Sequence, residues 1–480
     1  NTNNSKLMAT IIEQEPLYDI LPVGQQVMFS VSNNTIVANQ LEVKFVADVH
    51  ISNTPINLNT STDLIATLKT TPNNKGIGIF DLRPILESYV SPDYLGWTDG
   101  TNGSEYKGTQ YSNNNPNSIH LIDKFARSEN GFRYFAIRFS VDYIDATTLQ
   151  PVLDADEEDS AGFRFFNGVI QYDDTLNVFD NDYGYDITNF YFAASFPTPN
   201  SKSFLTNAPT TQYAQLTDYG TLSFFNLSAL NISGQYMEFT FKNRSGSTLG
   251  TEEVTQNTAN GGALPITSTT SNQLIYIGAY PANLDNWSTV WDTHKANVAY
   301  YEVVAMNDSG LNVSKTYTIN IICPANSSNQ KGFEGIRLTW LNQWGAWDYY
   351  TFNMKSIKSL TTNKSTYTQQ GGTWNSDTFR INGYKGGEKN FRVNSIEKIK
   401  MNTDFVTEDE GVWFEELINS PEVYVLNGFQ ADGTYSALNT YVEPVRLTTS
   451  SYTRKTIAND KLMQYTFEIE KSKMKRTQSV

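Results

Sequence analysis

An all-β, mainly antiparallel fold with a few short helices is what the sequence predicts, and three observations predict it. Apolar and polar residues alternate at period two wherever a pattern can be read, as in Val27–Val31, Leu41–Val46 and Leu64–Leu68. Asn, Thr and Ser fill polar positions that a helical protein gives to Lys and Glu, and these residues favour turns and strands over helix interiors. The stretches between strands are too short for the repeated crossover helices of parallel βαβ units. The architecture these imply is a set of tandem β-sandwich or jelly-roll-like domains.

A chain of 480 residues exceeds the roughly 250–300 that one core fills. We expect an N-terminal β-sandwich region over 1–200, a middle β domain with long loops over 201–330, and a C-terminal β domain over 331–480. In the first region, Phe80–Val90 reads as a short buried helix: Leu82, Ile85, Leu86 and Tyr89 share a face, Asp81 is placed to cap, and Pro84 sits in the first turn. Strands follow at Arg133–Asp142 and Gly162–Ile170, with the acidic run Asp154–Asp159 between them as a solvated hairpin loop. Composition shifts near Pro197–Lys202. The middle region then gives a strand at Tyr236–Phe241 and a long surface loop at Thr251–Asn272, around Gly261 and Gly262. Strands at Ser314–Ile322 and Gly335–Leu341 lead into the last region. Its helix, 407–420, opens on the T-x-x-E capping box of Thr407 and Glu410 ahead of Val412–Ile418, and Pro421 stops it. The final strand, Gln464–Glu470, sets Tyr465, Phe467 and Ile469 against Thr466 and Glu468. No repeat of solenoid or propeller period is present.

Composition narrows the function classes. A net charge of −15 repels phosphate backbones, and the only basic cluster is Lys471–Arg476, so no nucleic-acid partner is expected. No run reaches the roughly 20 apolar residues of a membrane span and the N-terminus has no apolar leader, so neither membrane insertion nor secretion is expected. Cys323 stands alone, which suits a reducing cytoplasm, and reads as a small core residue. His50, His120 and His294 lie neither beside it nor in a G-x-S-x-G elbow, so no nucleophilic centre is expected. Zinc motifs are absent from the sequence. Asp154–Glu158 and Asp180–Asp186 bunch oxygen ligands, but the twelfth-position Glu of a calcium loop is replaced by Phe165 and Tyr191, and both read as solvated turns. The expectation is therefore a non-enzyme without catalytic residue, cofactor or metal. Trp97, Trp287 and Trp291 are the candidates for stacking on sugar rings, with core packing the preferred reading. The sequons at Asn231 and Asn312 follow from abundant Asn, Ser and Thr and carry no weight.

The most specific stretch is Ile336–Phe352, which reads as strand, turn and strand. Ile336, Leu338 and Trp340 share a face, Gly345 permits a positive-φ turn, Asp348 is placed to hold that turn, and Trp347, Tyr349 and Thr351 begin the return strand. Trp340, Leu341, Asn342, Gly345, Trp347, Asp348, Tyr350 and Phe352 form the candidate interface or packing motif. This stretch resembles a W-L-N-x-x-G-x-W/F-D-x-F/Y-x-F signature of virion and tail-associated proteins from tailed phages of Bacteroidota, crAss-like or related. Gly76–Leu82, Tyr280–Leu284 and Leu417–Val425 are similar to the same group. The resemblance implies a structural protein of the tail, neck, baseplate or fibre, with no enzymatic residues to carry over. Its partners would be other virion proteins and copies of itself in a three-, six- or twelvefold assembly, built in the host cytoplasm. Two rivals remain: an adhesin that recognises host surface glycan, and a capsule depolymerase, whose paired carboxylates would be set by the fold and not by spacing. A bacterial surface-layer protein is disfavoured by the missing leader.

Overall fold

Among the described residues strands take up 47% and helix 12%, which makes the fold all-β. The computed structural model describes residues 9–93, 119, 125–128, 130–171, 187–192, 202–226, 236–255, 273–306, 310–322, 333–373, 377–427, 441–453 and 463–476. Among these, pairing is antiparallel except where Phe163–Phe166 meets Ile20–Pro22, Tyr191–Phe192 meets Thr221–Asn226, and Thr211–Ala214 meets Tyr317–Ile321, besides one isolated bridge. The chain divides into two compact units, one of Asn1–Ala325, Leu341–Asp348 and Gln430–Ser436, the other of Asn326–Trp340, Tyr349–Phe429 and Ala437–Val480.

The first unit begins as a sandwich. A three-stranded sheet runs Ile11–Gln14, Met28–Ser32, Ile77–Asp81, and a larger one runs Ile20–Pro22, Phe163–Phe166, Phe132–Ile144, Leu41–Ser52, Leu64–Thr70. Their shared core follows from the alternation. Phe45, Ala47 and Val49 on one long strand and Phe135, Ile137, Phe139 and Val141 on its neighbour are buried. They meet Phe29, Val31 and Phe80 from the small sheet, with Phe29 5.5–6.3 Å from the rings of Phe135, Phe139 and Phe163. Aromatic pairs at such separations contribute about 0.5–1.5 kcal/mol beyond the burial of their area.

Two further sheets complete the unit. The four-stranded one takes Phe125–Arg127 and Tyr191–Phe192 from before residue 200 and Thr221–Asn226 and Gln273–Gly278 from after it. The five-stranded one runs Thr211–Ala214, Tyr317–Ile321, Tyr300–Met306, Tyr236–Lys242, Thr248–Thr255. Helices Pro281–Trp287 and Thr289–His294 pack onto its aromatic residues, with Trp291 5.6 Å from Phe241 and 5.8 Å from Tyr301.

Among the described residues the second unit is built on one sheet and one helix. Its order is Trp347–Phe352, Ile336–Leu341, Val423–Leu426, Val442–Leu447, Thr466–Lys471, Gly387–Asn402, Ile357–Gln369, with Lys475–Arg476 also paired to Gly387–Asn402. Helix Glu408–Asn419 carries the expected capping box: the Thr407 hydroxyl accepts from the Glu410 N–H at 3.3 Å and the Glu410 carboxylate accepts from the Thr407 N–H at 2.8 Å. Its Trp413 and Phe414 pack on Trp340, Tyr350, Phe352 and Phe467 at 4.9–6.3 Å.

Three local expectations need correction. The acidic run Asp154–Asp159 is not a hairpin loop: Pro151–Leu153 and Glu158–Asp159 both pair with Phe132–Ile144, and Arg138 clamps Asp159 at 2.7 and 2.9 Å. The reversal lies at Asp145–Gln150, where the Asp145 carboxylate accepts from the Thr147 and Thr148 N–H groups. The short helix is Arg83–Leu86 followed by a 3-10 turn, and Tyr89 turns outward instead of sharing its buried face. Asp81 still accepts from the Arg83 N–H, at 3.1 Å. Thr251 falls within the strand Thr248–Thr255, so the loop expected there begins later, and its remainder lies outside the described residues.

Thr407→Ala should lower stability by about 1 kcal/mol through the lost cap. Burial holds the Glu410 carboxyl above its ordinary pKa, so the folded chain binds that proton more tightly than the unfolded chain. Its contribution is favourable at acid pH and is lost as pH rises through the folded value. Gln also serves at this position of a capping box. Thermal melts of Glu410→Gln against wild type should therefore shift in favour of the variant as pH rises from about 4, near an ordinary Glu, to about 7.

Candidate functional site

The signature stretch folds as a tight hairpin, and Asn342 makes its turn. The Asn342 N–H donates to the Ala346 carbonyl at 2.8 Å and the Gly345 N–H donates back to the Asn342 carbonyl at 3.1 Å. The Asn342 side-chain oxygen accepts from the N–H groups of Trp344 and Ala346, each at 3.0 Å. Gly345 takes φ +74°, as a three-residue hairpin loop with a left-handed last position requires. The side chain that reaches the amides of Trp344 and Ala346 is that of Asn342, which precedes them in the chain, and Asp348 lies buried in the following strand.

The turn is seated within the first unit by specific bonds. The Asn342 amide donates to the Leu205 carbonyl at 2.8 Å, and the Val169 N–H donates to the Gln343 carbonyl at 2.7 Å. Trp344 lies 3.9 Å from the Phe190 ring and donates from Nε1 to Asn207 at 3.3 Å. Trp347 donates from Nε1 to the Asp93 carbonyl at 2.9 Å. The buried Asp93 carboxylate is itself held by the Ser128 hydroxyl, the Asn130 N–H and the Tyr276 hydroxyl at 2.5, 2.7 and 3.1 Å. A Cβ on Gly345 would overlap the Asn167 carbonyl oxygen. Burial pushes the Tyr317 phenol up to about 12, with the Asp348 carboxylate adding to the effect and hydrogen bonds from Ser203 and the Phe204 backbone opposing it.

Trp340, Tyr350 and Phe352 fall in the second unit, and Leu341 in the first. Trp340 and Phe352 are fully buried against Trp413 and Phe414, and burial raises the Tyr350 phenol, with Glu410 and Asp404 adding to it. Leu341 is half-buried. The signature residues are thus interior packing and turn chemistry of this chain. Trp344, which the sequence reading passed over, belongs with them. Its signal was the pattern Asn342-x-x-Gly345, which marks a side-chain-stabilised turn whose intervening residues have fixed directions.

The remaining constellations separate in the same way. His50 meets the Ser61 hydroxyl at 3.1 Å on one sheet, while His294 ends a helix on another. Trp287 and Trp291 are core residues beside Phe239 and Phe241 and offer no stacking face. Among the described residues no group of three His, Cys, Asp or Glu converges as a metal site. Trp97, His120, Asp180–Asp186, Cys323 and Asn231 lie outside the described residues.

A long exposed strand pair carries no clear mark in the sequence. Ile357–Gln369 and Gly387–Asn402 pair antiparallel over their length as a ribbon at the end of the sheet order. On its other side Gly387–Asn402 meets Thr466–Lys471 only from Lys398 to Asn402, and Lys475–Arg476 only at Asn394 and Ser395. Phe379, Ile381 and Tyr384, beyond the paired strands, are 69, 87 and 74% exposed.

No protein-family model matches the chain, and a search of curated proteins returns no match.

Gly345→Ala should lose roughly 1–2 kcal/mol to the left-handed backbone and a further 1–3 kcal/mol to the overlap at Asn167. Gly387→Ala, at φ +77° with open space around it, should lose only the first of these. Chemical denaturation of the two variants checks the difference.

Proposed function

We propose that the chain is a structural component of a tailed-phage virion that works by protein–protein assembly and not by chemistry at a pocket. The observation that carries the assembly part is the ribbon of Ile357–Gln369 and Gly387–Asn402. It is a long strand pair with an open edge, exposed on nearly all of its first strand and carrying large apolar side chains in water. Open edges and exposed apolar groups of this kind are sites where other chains add. The phage part rests on the resemblance of Ile336–Phe352 and of the three shorter stretches to tail-associated proteins. The glycan-binding rival loses the described residues that motivated it, since Trp287 and Trp291 are buried.

Protein mass spectrometry of density-gradient-purified particles from a culture that produces this chain is the test. The chain should co-purify at a fixed ratio to the major capsid protein and stay through a high-salt wash. Recovery only in the particle-free lysate would contradict the proposal.

A further inference from the structure

We propose that the ribbon lies on the acidic surface of a second copy of this chain, which deepens the assembly reading above and rests on it. Three observations converge on the ribbon. The first is mechanical. From Ser365 to Gln369 and from Gly387 to Val393 the two strands have no further strand neighbour among the described residues. Two strands alone are marginally stable in water, and the 13 residues of Ile357–Gln369 reach roughly 40 Å. The second is apolar exposure. Ile357, Leu360 and Phe391 on the strands and Phe379, Ile381 and Tyr384 beyond them expose large hydrophobic side chains along the ribbon and past its paired end.

The third is charge, and it identifies the occupant. Residues 357–402 hold eight Lys and Arg against three Asp and Glu, a net +5. The rest of a chain of net −15 therefore carries −20. Lys364, Arg380, Lys385, Lys389 and Arg392 have no carboxylate partner among the described residues, whereas Lys358 and Lys398 do. A body at −20 repels nucleic acid from its cationic ribbon but attracts the ribbon of another copy. Two ribbons repel one another, so edge-to-edge pairing between them is disfavoured. The contact is then heterologous, ribbon to body, and such contacts build rings when the rotation closes and filaments when it does not.

Mass photometry and light scattering of the full chain test this, between about 0.05 and 0.5 M salt, where the screening length falls several-fold. Wild type should form oligomers whose apparent Kd weakens about tenfold or more with salt. Lys364→Glu, Arg380→Glu, Lys385→Glu and Lys389→Glu combined should abolish them. So should Phe379→Ser, Ile381→Ser and Tyr384→Ser combined, and both variants should keep the wild-type melting temperature. Because the contact is heterologous, the charge-reversed copy should still accept a wild-type ribbon, and mixing the two should give short capped oligomers. A wild type that stays monomeric, oligomers that survive both variants, or retention of the chain on DNA through the ribbon without self-association would each overturn the inference. A monomer that is nevertheless found in purified particles would remove this inference alone and leave the assembly reading standing.

Discussion

An unpaired strand edge is the constraint from which the second unit's behaviour follows. Each backbone N–H and C=O along a strand needs a partner, and in the interior of a sheet the two neighbours supply them. Among the described residues Ile357–Gln369 has one neighbour, and at its far half that neighbour has no other. Water satisfies the open groups but contributes no packing, and the ribbon's own stabilising contacts are few, among them Tyr367 against Phe391 at 6.4 Å. Proteins usually protect such an edge with charge. Here the charge is cationic on an anionic chain, which discourages ribbon-to-ribbon pairing while favouring a body of opposite sign.

The signature turn shows the opposite condition, with its polar groups consumed by structure. The signature hairpin joins turn chemistry to burial: Asn342 ties two turn amides and a distant carbonyl, and the indoles of Trp344 and Trp347 each find an acceptor inside the first unit. Leaving a buried indole N–H without such an acceptor costs about 1–3 kcal/mol. The Asp93 network behind Trp347 serves the same end. Taken together, these residues are needed for folding, and a chain that works through its surfaces would keep them for that reason.

Much of the fold was legible because strands announce themselves at period two. Phe135, Ile137, Phe139 and Val141 alternate in sequence and share the sandwich core in space. The capping box at Thr407 and Glu410 was equally readable, since its bonds span only three residues. What the sequence hid depended on distant partners. The run Asp154–Asp159 looked like a loop because its charges are local, while the strand pairing and the Arg138 clamp that fix it come from elsewhere in the chain. Core packing was the preferred reading of Trp287 and Trp291, and their places beside Phe239, Phe241 and Tyr301 bear it out. The ribbon was missed for a related reason. Ile357–Gln369 alternates weakly, and its importance lies in a neighbour that is not there.

Amide hydrogen exchange of the full chain as a function of its concentration reads that edge directly. The amides of Ile357–Gln369 should exchange fast in dilute solution and become protected as concentration rises, while those of Phe132–Ile144 stay protected throughout. Exchange of the ribbon amides at one rate across the whole range, whether fast or slow, would contradict the account.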